Sequence, residues 1–366
     1  MKNIIFLNLF IWTAILNFLA ADGSLIDEDN GELCFVTLVY RHGDRAPVAP
    51  YPTDPYKNPT CWPNGWAQLT KLGKLQHLEL GRWLRNRYWN FISNRYNVSD
   101  IYVRSTDVDR TLMSAYCCLA GLYECWSQGE TDFLPWQPIP VHTIPVHMDS
   151  VLAGYKNCQV YNDLFKELLE TSEVSAFNDC YRDVYSSLSE KSGLSIKSAK
   201  DCVFLYSTLN IENMHGFQLP SWTRDFFPEP LKKISEFAFR LPCYTTPLKR
   251  FKCGPLLKDI IQHMEDKIGG NLTEKIWMYS AHDTTLANLM QCLDVYDGVI
   301  PPYTATVIFE LLRAHVEYYV MISYKTPTTF RILRIPDCER ICPFESFKLI
   351  INSVLPADWE KECQQI

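Results

Sequence analysis

A chain of 366 residues with 47% hydrophobic and 13% aromatic side chains can bury a sizeable core, which excludes disorder and allows one large or two moderate domains. Its formal charge of -7 excludes a general nucleic-acid binder, since no lysine or arginine run reverses that sign. Any anion site must therefore be built locally.

Residues 1–21 open with Lys2 and run apolar from Ile4 to Ala21, broken only by Asn8, Thr13 and Asn17. Small residues follow at Ala20, Ala21, Gly23 and Ser24, so residues 1–23 read as a cleaved secretory signal peptide rather than an uncleaved anchor. No later stretch is apolar for long enough to span a bilayer, which predicts a secreted or lysosomal mature chain without a membrane anchor. Its 14 cysteines then meet an oxidising compartment, where pairing is the default. Asn97-Val98-Ser99 and Asn271-Leu272-Thr273 are glycosylation sequons that fit this route.

The first predicted strand, Leu33 to Tyr40, leads into Arg41-His42-Gly43-Asp44-Arg45-Ala46-Pro47. Leu69, Leu72, Leu75, Leu80, Trp83 and Leu84 then recur at near-helical spacing, as for a helix packed on a sheet. Ile101 to Val103 forms a second strand leading into Arg104, with Thr106 and Asp109 placed as a capping box for a helix through Met113 to Leu122. From about Cys125 to Phe251 the strand-to-helix rhythm is lost, with a Pro-rich stretch at Leu134 to Pro145 and a charged helical one from Tyr161 to Lys200. Ile276 to Tyr279 forms a third strand leading into His282 and Asp283. Thr304 to Leu312 and His315 to Tyr324, joined at Arg313 and Ala314, and then Arg331 to Ile335 predict an antiparallel edge.

These elements predict an α/β fold: a mixed central sheet with helices on both faces, plus a smaller, mostly helical inserted domain. The expected boundaries are 24–124 and 252–366 for the α/β domain and 125–251 for the insertion. In open α/β sheets, ligands bind beyond the carboxyl ends of the strands, so the three polar segments should meet in one crevice.

The heptad carries the clearest chemistry. A phosphoryl dianion needs planar cationic forks, an uncharged nucleophile and close backbone, and Arg41, Arg45, His42 and Gly43 supply them. A thiol phosphatase would need Cys-x5-Arg and a purple acid phosphatase a Gly-Asn-His segment, and neither pattern occurs. Cys338-x3-Cys342 has no second ligand pair nearby, and His142 with His147 is poorly spaced for a metal, so neither a metal nor an organic cofactor is expected. Taken alone, Arg104 would pass for a solvated loop residue, and His282-Asp283 for a helix cap beside a buried histidine.

With these motifs in view, the chain resembles the histidine acid phosphatases of the lysosomal and prostatic type. The resemblance runs through the heptad, Arg104-Ser105-Thr106-Asp107 to Ala115, Trp136 to Pro145, Leu219-Pro220-Ser221-Trp222, Ser280 to Thr285, Pro301-Pro302-Tyr303 and Cys338 to Pro343. It implies phosphate monoester hydrolysis through a covalent phosphohistidine. His42 would be the nucleophile, Arg41, Arg45, Arg104 and His282 the phosphate pocket, and Asp283 the acid that protonates the leaving oxygen. It also implies the bridges Cys158–Cys363 and Cys338–Cys342, while a third family bridge has Ile211 and Thr306 at its positions. Cys180 with Cys202 and Cys243 with Cys253 are candidate local pairs, and Cys34 a candidate free thiol. Trp136 to His142 resembles a segment used at a homodimer interface. The alternatives are a secreted protein that binds phosphate esters without turnover, and a phytase or inositol phosphate phosphatase.

Unit charges about 4 Å apart interact by roughly 4 kcal/mol at an effective dielectric of about 20. Clustered arginines should therefore hold a phosphate and keep His42 neutral in acid. The same cations favour ionised Asp283, whereas a bound dianion opposes them. If Asp283 must be protonated to act, activity falls as pH rises.

Overall fold

The computed structural model describes residues 31–124, 137–153 and 158–364. The expected signal peptide and Trp136 lie outside them.

Strand β1 (Glu32–Arg41) is rich in branched and aromatic residues and is buried from Phe35 to Arg41, as a central strand must be. In an eight-stranded sheet it sits between β4 (Ile276–Ala281), which pairs with it in parallel, and β5 (Thr306–Ala314), which pairs antiparallel. Beyond β4 come β2 (Ile101–Thr106) and β3 (His142–Ile144), both parallel. Beyond β5 come β6 (Glu317–Lys325) and β7 (Phe330–Leu333), while β8 (Ile341–Pro343) also pairs with β6, all antiparallel. The expected antiparallel edge is present, with the turn at His315, whose φ is 57°, and not at Arg313 and Ala314.

Period-two alternation sends Phe35 and Val39 into one core and Val36, Leu38 and Tyr40 into the other. The second core is closed by α1 (Lys71–Arg87) and α2 (Asp109–Leu122). Thr70 starts α1 by accepting the Gly73 amide on its hydroxyl at 3.1 Å. The buried stripe of α1 is Gly73, His77, Leu80, Gly81 and Leu84. Leu72 and Leu75, expected in the core, fall off that stripe and are 45% and 48% exposed. The expected capping box on α2 is also absent: Val108 is the cap, and Thr106 uses its hydroxyl elsewhere.

After β3, α3 (Gln159–Leu169), α4 (Ser172–Cys180), α5 (Arg182–Ser192), α6 (Ala199–Met214), α7 (Leu231–Arg240) and α8 (Thr246–Lys252) follow with no intervening strand among the described residues. Strand β3 itself, inside the 125–251 stretch, belongs to the main sheet. Helices α5, α6 and α7 share a core around Leu188, Leu205, Leu209 and Ile234. The first sheet face is covered by α9 (Gly254–Ile268), α10 (Asp283–Cys292) and α11 (Phe344–Ile351).

Cys158–Cys363 joins the start of α3 to the end of α12 (Trp359–Glu362), and Cys338–Cys342 closes the loop before β8, both as expected. Cys253 pairs with Cys292 and not with Cys243, whose sulfur lies 3.6 Å from that of Cys253. Cys180 and Cys202 do not pair: one is exposed at the end of α4 and the other buried in α6. Cys34 is a free thiol.

Candidate active site

Strand register decides which side chains meet. Tyr40 of β1 is level with Ser280 of β4, and Ser280 with Ser105 of β2. The residues just past that row, His42, Thr106, His282 and Asp283, therefore come together. With Arg45 and Arg110 they line a cavity of about 280 Å³ whose apolar wall includes Val151, Leu152 and Leu256.

His42 is 2% exposed, and its Nδ1 lies 2.8 Å from the Gly43 carbonyl. A carbonyl only accepts, so Nδ1 carries the proton and Nε2 keeps its lone pair. Burial, then Arg41, His282, Arg45 and Arg110, hold its pKa well below the ordinary histidine value, so the ring stays neutral in acid. Gly43 serves packing. A Cβ there would stand 2.4 Å from the Gly73 carbonyl oxygen, so only glycine lets the heptad lie against the start of α1.

Arg41 and Arg45 are 8% and 7% exposed. Arg41 spans the site, donating to the Pro301 carbonyl at 2.6 Å, stacking 4.2 Å from the Tyr303 ring centre and pairing with Asp283 at 2.7 Å. Arg45 donates to the Ala46 carbonyl at 3.0 Å and to Ser207 of α6 at 3.3 Å.

Arg104 does not join them. It is level with Tyr279, one row below Ser280, and pairs with buried Asp149 at 2.6 Å. The same Asp149 oxygen accepts the amides of Val151 and Leu152 at 3.1 and 2.9 Å, so Arg104 braces the apolar wall and stands outside the cavity lining. The second arginine in the cavity, beside Arg45, is Arg110, which the sequence reading missed. Burial first, and then repulsion from Arg45, lower its pKa to about 10, which leaves it charged. A signal for it exists: it stands in the first turn of α2, where the helix dipole disfavours a cation, and such local conflicts mark functional residues.

His282 takes Arg110 Nη2 on Nδ1 at 3.4 Å, so its Nε2–H donates to Thr106 Oγ1 at 3.1 Å. The Thr106 hydroxyl donates to Thr111 Oγ1 at 2.9 Å, and Thr111 to the Val108 carbonyl at 2.7 Å. Burial, and next Arg110, lower the His282 pKa to about 3. For Asp283, burial opposes the charge, but Arg41, Arg45 and His282 outweigh it and hold the carboxyl below its ordinary value. Without phosphate the arginines therefore win, the balance that the sequence left open. No group of three or more His, Cys, Asp or Glu able to hold a metal lies among the described residues.

The family model for the histidine phosphatase superfamily (branch 2) matches residues 32–325, a span that holds every residue of this cavity. The chain belongs to that superfamily. Prostatic acid phosphatase of Homo sapiens is 39% identical over 346 residues, covering 91% of this chain and 88% of that protein. Lysosomal acid phosphatase of Xenopus laevis is 40% identical over 348 residues, covering 91% and 79%. Among solved structures, the phytase of Citrobacter braakii matches with a TM-score of 0.69 at 19% identity, over 91% of this chain and 99% of that one, and shares the fold.

Proposed function

We propose that this branch 2 histidine phosphatase is an acid phosphatase that hydrolyses phosphate monoesters through a phosphohistidine on His42. The carrying observation is a buried, neutral imidazole with its free nitrogen among Arg41, Arg45 and Arg110. Relatives that are 39% and 40% identical and named acid phosphatases support the same reading.

The phosphoryl oxygens take the guanidinium forks, and the dianion competes with Asp283 for Arg41. Once Asp283 loses that partner and faces the dianion, its carboxyl takes up a proton. His42 Nε2 attacks phosphorus, the ester P–O bond breaks, and Asp283 gives its proton to the leaving oxygen. In the second step Asp283, now ionised, takes a proton from water as it attacks phosphorus, the P–N bond breaks and inorganic phosphate leaves. His282, tied to Thr106 through Nε2, accepts Arg110 on Nδ1 and so aims that guanidinium at the phosphate. No step uses a metal or organic cofactor.

Residues 1–23 would direct the chain into the secretory pathway, ending in secretion or the lysosome. No helix among the described residues is long and apolar enough to cross a membrane. Asn97 and Asn271 are exposed, as glycan acceptors must be. A homodimer through the sheet edge is supported by β3, whose three residues are all exposed.

The test is hydrolysis of p-nitrophenyl phosphate from about pH 3 to about pH 8 in excess EDTA, comparing the protein with His42→Ala. Acid-optimal turnover that survives EDTA and falls by at least about 10⁴-fold in the variant is expected. Turnover that needs a metal, or that persists in the variant, would contradict the reading.

A further inference from the structure

Two buried carboxyls outside the crevice form no ion pair among the described residues; Lys57 favours the charge on Asp54 only from a distance. Glu212 on α6 is 0% exposed, and Asp54, in the loop that follows the heptad, is 1% exposed. Buried carboxylates elsewhere in the fold are matched: Glu310 receives Arg87 at 2.9 and 3.0 Å and the Tyr88 hydroxyl at 2.8 Å. Glu212 and Asp54 instead face each other. Neither Glu212 oxygen nor Asp54 Oδ2 receives a hydrogen bond from a neighbouring donor, while Asp54 Oδ1 takes the Tyr56 amide at 2.6 Å. The remaining titratable groups around them are Tyr51, Tyr56 and Lys57. Tyr51 is buried and its hydroxyl also lacks a partner, and the Lys57 ammonium reaches the Pro52 carbonyl at 3.5 Å on the exposed side.

Two ionised carboxylates cannot share a dry site without a cation, because each loses its hydration and repels the other. A proton on one of them is both the missing donor and the missing neutralisation. We propose that Glu212 is a positioning residue, whose proton, shared with Asp54, clasps α6 against the loop that carries Arg45, and that this clasp is closed in acid and opens as pH rises.

The same helix touches the heptad beside the clasp. Ser207 Oγ accepts from Arg45 Nη2 at 3.3 Å, and just past the helix His215 Nε2 reaches Asp44 Oδ2 at 2.8 Å. Opening the clasp therefore loosens the seam that holds Arg45. Burial and then Asp54 push the Glu212 pKa from 4.5 up to about 8. Between those values the folded protein keeps a proton that the unfolded chain has lost. The contribution is therefore most favourable below pH 4.5 and declines until about pH 8, by up to tenfold in the folding constant per pH unit. The clasp itself needs no chemistry at His42; only its effect on phosphate rests on the phosphatase reading.

The experiment is urea unfolding of the full chain, disulfides intact, across that pH window for the wild type and Glu212→Gln, with inorganic phosphate affinity measured by calorimetry at about pH 5. An amide is a permanent donor to Asp54. The ratio of wild-type to variant folding constants should therefore fall with pH, by at least about a hundredfold over the window. A pH-independent ratio overturns the shared proton. Should Glu212→Gln not fold, Asp54→Asn makes the same substitution on the other partner and must give the same slope. Glu212→Ala should weaken phosphate binding by about fivefold, the loss of one hydrogen bond, with Glu212→Gln restoring it. A glutamine variant that binds as weakly as alanine overturns the positioning role. Unfolding requires no turnover, so a chain without phosphatase activity would sink the function above and leave this test intact.

Discussion

In the crevice, burial and three arginines push His42 in one direction, toward the neutral ring, whereas at the seam between α6 and the loop after the heptad two carboxyls are buried without an ion-paired cation, and Lys57 acts on Asp54 only from a distance. Both places are dry, and the sign of the neighbours decides what dryness does. Cations keep His42 neutral far into acid, where a free imidazole would be protonated. The lack of an ion-paired cation at the seam keeps a proton bound up to near neutrality. The chemistry thus tolerates acid, and the scaffold that aims Arg45 favours it.

The contrast breaks most sharply at Asp283. Asp283→Asn cannot deliver a proton, so kcat/KM for alkyl phosphates, which reports the step that expels the leaving group, should fall by about 10²–10⁴-fold, and far less for p-nitrophenyl phosphate, whose leaving group needs no acid. The wild-type kcat for alkyl phosphates should decline as pH rises, because only protonated Asp283 acts, and this limb should vanish in the variant. Equal losses for both substrate types would remove Asp283 from the acid role.

The cation set can be sharpened next. Arg110→Ala should weaken phosphate binding by about tenfold to a hundredfold, the scale of a lost charge-assisted hydrogen bond, read from competitive inhibition by inorganic phosphate. The smallest effect on phosphate belongs to Arg104→Ala, whose inhibition constant should stay within about twofold of wild type. That variant strands buried Asp149 and should lose about 3 kcal/mol of unfolding free energy instead. A reversed pattern would return Arg104 to the phosphate pocket.

Strands and the heptad were legible because their signals are local. The run from Leu33 to Tyr40 is broken by no charge, and β1, β2, β4 and the β5–β7 meander fall close to where the hydrophobic pattern places them. What failed depends on register and rotation. Arg104 and Arg110 both follow a strand-to-helix signature, and only the pairing of Arg104 with Tyr279 shows that it lies a row too deep. Leu72 and Leu75 obey helical spacing, yet the contact face of α1 turns away from them. Cysteine pairing was open for the same reason. Cys243 and Cys253 are near in sequence and in space, but Cys292 reaches Cys253 from the end of α10. The Glu212 clasp joins residues 54 and 212, which no local pattern connects.

The most direct test of the central claim is rapid acid-free quenching of the enzyme during turnover of a labelled phosphate monoester, followed by peptide mapping of the protein-bound label. The account predicts a phosphoramidate, stable in base and labile in acid, on the peptide that carries His42. Label on another residue, or undiminished turnover in which no phosphoenzyme forms at all, would contradict it.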